Sequence, residues 1–331
     1  MMFFNTLIFG TLISTSAYSW FSMWIGLEIN LLSIIPLLKS HSNLYPTEAT
    51  LKYFITQTLA STIILFSIIM SMNMNEFIPQ HFNYWLMMMM NSALFTKMGA
   101  APFHSWFPEV AEGLNWMNNM IMLTWQKLAP MVLIMYNLNM TLFMTMIIII
   151  SSIIGGIWGL NQISLRKILA YSSINHIGWM LASMMNYKMT WLIYFIIYSI
   201  ISVNLIMIFY LFNIFYLPQL FTSLNSNKLI KILFIFNFFS LGGLPPFLGF
   251  LPKWLTINFL IYNNFYTLSL FLIISTLMTL FFYIRITLST LTITTKETLI
   301  KTHKLNNFII LMINSISLLM LILMTNFFNI F

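Results

Sequence analysis

The chain has 331 residues, 60% of them hydrophobic, 17% aromatic and only 6% charged, with a mean hydropathy of +0.89. Soluble domains carry roughly a quarter charged residues, so a water-facing surface is excluded, and a net charge of +8 spread this thinly is not a nucleic-acid footprint. Cysteine is absent, the five histidines have no zinc-type spacing, and neither GxGxxG nor a P-loop occurs. The chain itself therefore holds no disulfide, no cysteine-ligated cluster and no nucleotide-phosphate cradle.

A helix needs about 20 apolar residues to cross the hydrocarbon core. Taken in order, apolar stretches predict spans near 2–21, 23–38, 51–71, 84–101, 118–137, 141–160, 165–186 and 190–213. The first, opening MMFFNTLIFG, lacks the basic leading region of a signal or transit peptide and is expected to be a span of the mature protein. A stretch at 229–262 is too long for one straight helix and is interrupted by Pro245-Pro246. Two further spans follow near 265–287 and 307–329.

The double proline removes two backbone donors, so 229–262 is either two spans or one broken span. Basic residues decide, because they gather on the cytoplasm-like side. With one broken span, and eleven spans in all, Lys39, Lys52, Arg166, Lys167, Lys228, Lys231, Arg285, Lys296, Lys301 and Lys304 share one side, against Lys188 on the other. With two spans the last four cross over and the asymmetry vanishes. The helix is read as broken, with the N-terminus on the positive side and the C-terminus opposite.

That assignment leaves Lys97, Lys127 and Lys253 inside spans, together with Glu28. An ionisable group at membrane depth costs about 2.5–3.5 kcal/mol on insertion scales, so such groups face a bundle interior or a wet cavity. Lysine suits a proton relay because desolvation opposes its charge and a nearby carboxylate restores it. Lys127 sits too deep to reach the interface easily, against the plain alternative of a structural anchor. Lys97, near a span end but followed by Gly99, Ala100, Ala101 and Pro102, fits either snorkelling or a locally opened helix. Lys253 beside Trp254 fits an interface pair, or a cavity lined by unwound backbone. Glu28, beside Gly26, also fits an interfacial acid. His176, on one helical face with Ser172 and Asn175, is a second-rank candidate that interhelical hydrogen bonding explains equally well. His104 and Glu109 are expected in a surface turn.

Several of these segments resemble the signatures of the NADH dehydrogenase subunit 2 family, the antiporter-like membrane subunits of mitochondrial respiratory complex I. They are WIGLEIN (24–30), KMGAAPFH (97–104), LTWQKLAP (123–130), GLNQ (159–162) with LRKILAYSS (165–173), and SLGGLPP (240–246) with GFLPKW (249–254). The matches run in order from Trp24 to Trp254; beyond that the chain agrees only in hydropathy and length.

The resemblance implies an all-α polytopic fold with eleven transmembrane helices and two inverted repeats, each with a broken helix. One antiporter-like domain would fill 1–331, with repeats at about 1–137 and 141–287 and a final helix at about 307–329. It implies that Lys97 and Lys253 lie on the two broken helices, that Glu28 pairs with Lys97, and that Lys127 is the central relay. Three N-terminal helices of bacterial relatives are expected to be missing. Flavin, iron–sulfur clusters and ubiquinone are expected in partner subunits of the membrane and peripheral arms, with none bound here. The expected location is the mitochondrial inner membrane, N-terminus towards the matrix and C-terminus towards the intermembrane space. Abundant Met and Phe with only Arg166 and Arg285 as arginines fit an AT-rich organellar gene. The expected role is proton translocation coupled to quinone reduction elsewhere; a free-standing cation/proton antiporter of the same fold is the alternative.

Overall fold

The computed structural model describes residues 2–39, 44–74, 80–185, 187–224, 228–245 and 247–292. The predicted span at 307–329 lies outside them, as do Glu76, Lys296, Lys301 and Lys304. The chain divides into two compact units, Met1–Ser151 and Ser152–Phe331.

The first unit holds α1 (Met2–Ser16), α2 (Trp20–Leu38), α3 (Leu44–Met74), α4 (Gln80–Met98), α5 (Trp106–Gly113), α6 (Trp116–Leu123) and α7 (Trp125–Ile134), which runs into a 3₁₀ turn at Met135–Asn137. The boundary falls within α8 (Thr141–Gly159). The second unit continues with α9 (Leu165–Met184), α10 (Lys188–Phe212), α11 (Leu217–Leu224), α12 (Lys228–Gly242), α13 (Phe250–Tyr262) and α14 (Tyr266–Thr292). The described residues form no named strand. A single bridge, Ser164 with Tyr216, ties the approach to α9 to the start of α11.

By length and composition, five described helices are apolar enough to cross a membrane: Trp20–Leu38, Leu44–Met72, Thr141–Gly159, Lys188–Phe212 and Tyr266–Thr292. The other predicted spans within the described residues correspond to shorter, broken or more polar helices. Two departures from the predicted pattern matter. The stretch expected as one span at 118–137 is split at Thr124, where φ is −112° and ψ −72°. Its hydroxyl and its own backbone N–H both bond the Met120 carbonyl, at 2.7 and 3.1 Å. The helices α5 and α11, eight residues each, are too short to register as hydropathic spans.

Apolar side chains point outward where hydrocarbon is the solvent. Leu51, Ile55, Leu59 and Phe66 on α3, and Leu270, Ile274, Leu277 and Phe281 on α14, are all exposed. In contrast α9 is buried at every position from Ile168 to Met184, against α10, α13 and α14, although it carries Ser172, Ser173, Asn175, His176 and Ser183. Polarity is thus concentrated inside. Many serine and threonine hydroxyls turn back onto carbonyls three or four residues earlier, as in Ser67 to Ile64 and Thr279 to Thr276, so these need no water in the bilayer.

Close packing of α1 on α2 uses small residues. A Cβ on Gly26 would lie 2.5 Å from the Ser14 nitrogen, and one on Gly10 would lie 2.9 Å from the Asn30 nitrogen. No side chain fits there, and the seam fixes the α2 segment that carries Glu28.

Candidate proton-relay sites

In the first unit Lys97 is the penultimate residue of α4, and its side chain is buried. Its ammonium lies 4.0 Å from Glu28 Oε1 on α2. That separation permits a charge interaction but exceeds a direct hydrogen bond. Glu28 Oε1 is itself buried with no hydrogen-bond partner among the described residues. The structure thus brings together the pair that the resemblance implies, and turns Lys97 inward where snorkelling was an option.

The helix carrying Lys97 stops because Gly99 takes φ +75°. Gly99 N bonds the Thr96 carbonyl at 3.2 Å and Ala100 N bonds the Phe95 carbonyl at 3.0 Å. This is a Schellman ending, which favours glycine at the left-handed position. Trp106 Nε1 adds a 3.0 Å bond to the same Thr96 carbonyl. The backbone opened inside the unit is therefore satisfied. His104, expected at the surface, is instead buried in this turn with Nδ1 3.3 Å from the Pro102 carbonyl, because the chain folds back into α5. Glu109 is exposed as expected and pairs with Lys52 at 2.6 Å.

Lys127 lies one turn past the Thr124 break and is 1% exposed, which places it among the largest fully buried side chains. Its ammonium stands 5.5 Å from the ring centroid of Phe107 on α5, a cation–π distance. Phe107 also abuts Gly99, where an added Cβ would meet its Cβ at 3.0 Å. One aromatic ring therefore touches both the α4 break and Lys127.

In the second unit α12 ends on Gly243, again at φ +75°. Gly243 N bonds Ser240 O at 3.0 Å and Leu244 N bonds Phe239 O at 3.2 Å, the same ending as at Gly99. Lys253, buried on α13, reaches back to it. Nζ donates to the Gly242 carbonyl at 2.8 Å and to Leu241 at 3.3 Å, and stands 5.8 Å from the Trp179 ring centroid. Lys253 is buried while Trp254 is exposed, so the two neighbours face different surroundings. An ammonium at a helix C-terminus meets carbonyls that lack helical donors and the negative end of the dipole.

His176 is buried on α9, with Nδ1 2.9 Å from the Tyr194 hydroxyl and its ring 5.0 Å from that of Tyr198. These residues share a cavity with Ser240, Gly249 and Pro252 of the broken segment. It is about 10 Å³ at water centres, room for one water. Asn175 reaches Thr279 at 3.4 Å, and Ser172 bonds the Leu169 carbonyl within its own helix.

Sequence reasoning overlooked the polar lining near Lys97 (Asn30, Tyr53, Gln57 and Gln126) and the aromatic partners Phe107, Tyr194 and Tyr198. The two breaks also share a sequence pattern. GAAPFHSWFPE (99–109) and GLPPFLGFLPK (243–253) share Gly, Pro-Phe, an aromatic residue, Pro and a final ionisable residue at equal offsets.

The family model described as NADH:quinone oxidoreductase/Mrp antiporter, TM, matches residues 17–279. A protein of Anopheles gambiae named NADH-ubiquinone oxidoreductase chain 2 is 50% identical over 293 residues, 87% of this chain and 84% of the relative. Its namesake in Aedes aegypti is 48% identical over 329 residues, 98% and 96% of the two chains. Among solved structures, a chain of respiratory complex I from Thermus thermophilus superposes with a TM-score of 0.85 at 21% identity, covering 96% of this chain and 76% of that one.

Proposed function

The chain belongs to the NADH:quinone oxidoreductase/Mrp antiporter transmembrane family, and from that premise we propose that it is a proton-translocating membrane subunit of a mitochondrial NADH:ubiquinone oxidoreductase. The observation that carries the reading is the pairing of buried Lys97 with half-buried Glu28, separated by 4.0 Å in a chain half identical to a protein named for that enzyme. Quinone reduction in a partner subunit perturbs the pair. Approach or withdrawal of the carboxylate changes how firmly Lys97 holds its proton. The proton passes through Lys127 and on towards Lys253, with His176 as an auxiliary group. In this reading the chain has eleven spans arranged as two inverted repeats in one antiporter-like domain, its N-terminus facing the matrix and its C-terminus the intermembrane space. Flavin, iron–sulfur clusters and ubiquinone belong to its partners in the membrane and peripheral arms, and lipid covers its outward apolar faces.

Two measurements test the proposal. Gentle solubilisation of native membranes and separation of intact complexes should show the chain in one very large band with NADH dehydrogenase activity. Migration alone would favour a free-standing cation/proton antiporter, a reading kept open by the family's Mrp members. In the assembled enzyme, Lys127→Met should slow coupled proton transfer by on the order of 10²-fold, the usual contribution of a positioned acid–base group. Pumping and coupled turnover at the wild-type rate would remove Lys127 from the relay.

A further inference from the structure

Lys97 opens onto a small polar cavity of about 10 Å³ at water centres, the volume of one water. Its wall includes Asn30 of α2, Tyr53 and Gln57 of α3, and Gln126 and Pro130 of α7. Asn30, Tyr53, Gln57 and Lys97 are all buried, so this polarity is built into the interior. A buried water needs two to four polar partners, and this wall supplies them. A further feature points to a water here: Pro130 in its wall has no N–H, which leaves the Gln126 carbonyl without its usual helical donor.

Across this cavity Gln126 Nε2 donates to Asn30 Oδ1 at 2.9 Å. The bond joins α2, which carries Glu28, to the residue immediately before Lys127. Neutral amides orient water without binding the proton themselves. We propose that Asn30 and Gln126 are positioning residues: their amide pair holds a relay water on Lys97, through which the proton leaves for Lys127. One N–H bond at Lys97 Nζ breaks as an O–H bond forms on the water. The water releases another of its protons onward and is regenerated, leaving Lys97 neutral until it is reprotonated. This inference rests on the relay reading above, and adds to it the identity of the carrier and the residues that fix it.

The test uses the assembled enzyme in proteoliposomes, measuring NADH-driven proton pumping and its solvent deuterium isotope effect, with assembly followed on native gels. Asn30→Leu and Gln126→Leu should each assemble, pump about tenfold more slowly and show a changed isotope effect. The exchanged pair Asn30→Gln with Gln126→Asn, which restores an amide-to-amide bond, should recover most of the rate. Wild-type pumping in both leucine variants beside an impaired Lys127→Met would overturn the amide pair and leave the relay standing. Wild-type pumping in Lys127→Met would overturn the relay and the water carrier together. Should the leucine variants fail to assemble, a water-resolving structure of the wild-type complex decides. Ordered density within hydrogen-bond distance of Lys97 and Gln126 supports the inference, and its absence refutes it.

Discussion

The two helix breaks end alike and hold their lysines differently. Gly99 and Gly243 share φ +75° and the same pair of backbone hydrogen bonds. Before the first break Lys97 faces a carboxylate at 4.0 Å; after the second, Lys253 is bonded to the carbonyls of Leu241 and Gly242. Even the equal offset from glycine diverges, since ten residues on stands exposed Glu109 in one unit and buried Lys253 in the other. A carboxylate can move or be neutralised, so its hold on an ammonium is adjustable. Helix carbonyls are fixed dipoles and cannot be switched off. In the proposed relay, the first break would thus receive the signal and the second would hold a proton site in place.

Five substitutions probe that contrast, from the greatest expected effect to the least. Lys253→Met should leave the Leu241 and Gly242 carbonyls unpaired and remove a titratable group, cutting proton pumping by on the order of 10²-fold; pumping assays at equal assembly check it. Glu28→Gln keeps the shape and deletes the adjustable charge, and should slow coupled turnover by about tenfold, the equivalent of roughly 1.4 kcal/mol. If turnover were unchanged, the carboxylate would have no part in signalling.

Alanine at the two glycines separates the breaks further. Both positions resist a side chain at positive φ, which costs about 1–2 kcal/mol, visible as earlier thermal inactivation of the complex. At Gly243 the new methyl would also lie 2.7 Å from Lys253 Cδ and 3.0 Å from its Nζ, displacing the ammonium, whereas at Gly99 its nearest neighbours are atoms of the Phe107 side chain. Gly243→Ala should therefore lower pumping several-fold more than Gly99→Ala. Equal pumping would separate the lysine's carbonyl bonds from function. Smallest of all is Lys52→Ala. The Lys52–Glu109 pair is solvent-exposed on both sides, and such pairs add little to stability. Thermal inactivation should match wild type within error.

The sequence by itself determined the solvent, because 6% charge cannot cover a water-facing surface. It also picked out Glu28, Lys97, Lys127 and Lys253, since a charge inside an apolar run is visible without coordinates. Pro245-Pro246 marked one helix break through missing donors. Tertiary structure alone decided the rest. Hydropathy averages along the chain, so it passed over the Thr124 break, a local change of backbone dihedrals, and it left His104 at a surface from which α5 folds it inward. Which lysine meets a carboxylate and which meets helix carbonyls is a matter of a few ångströms between segments distant in sequence. So is the bond from Gln126 to Asn30, 96 residues apart. Periodicity and composition record how a residue relates to its solvent, and partners across a core leave no trace in either.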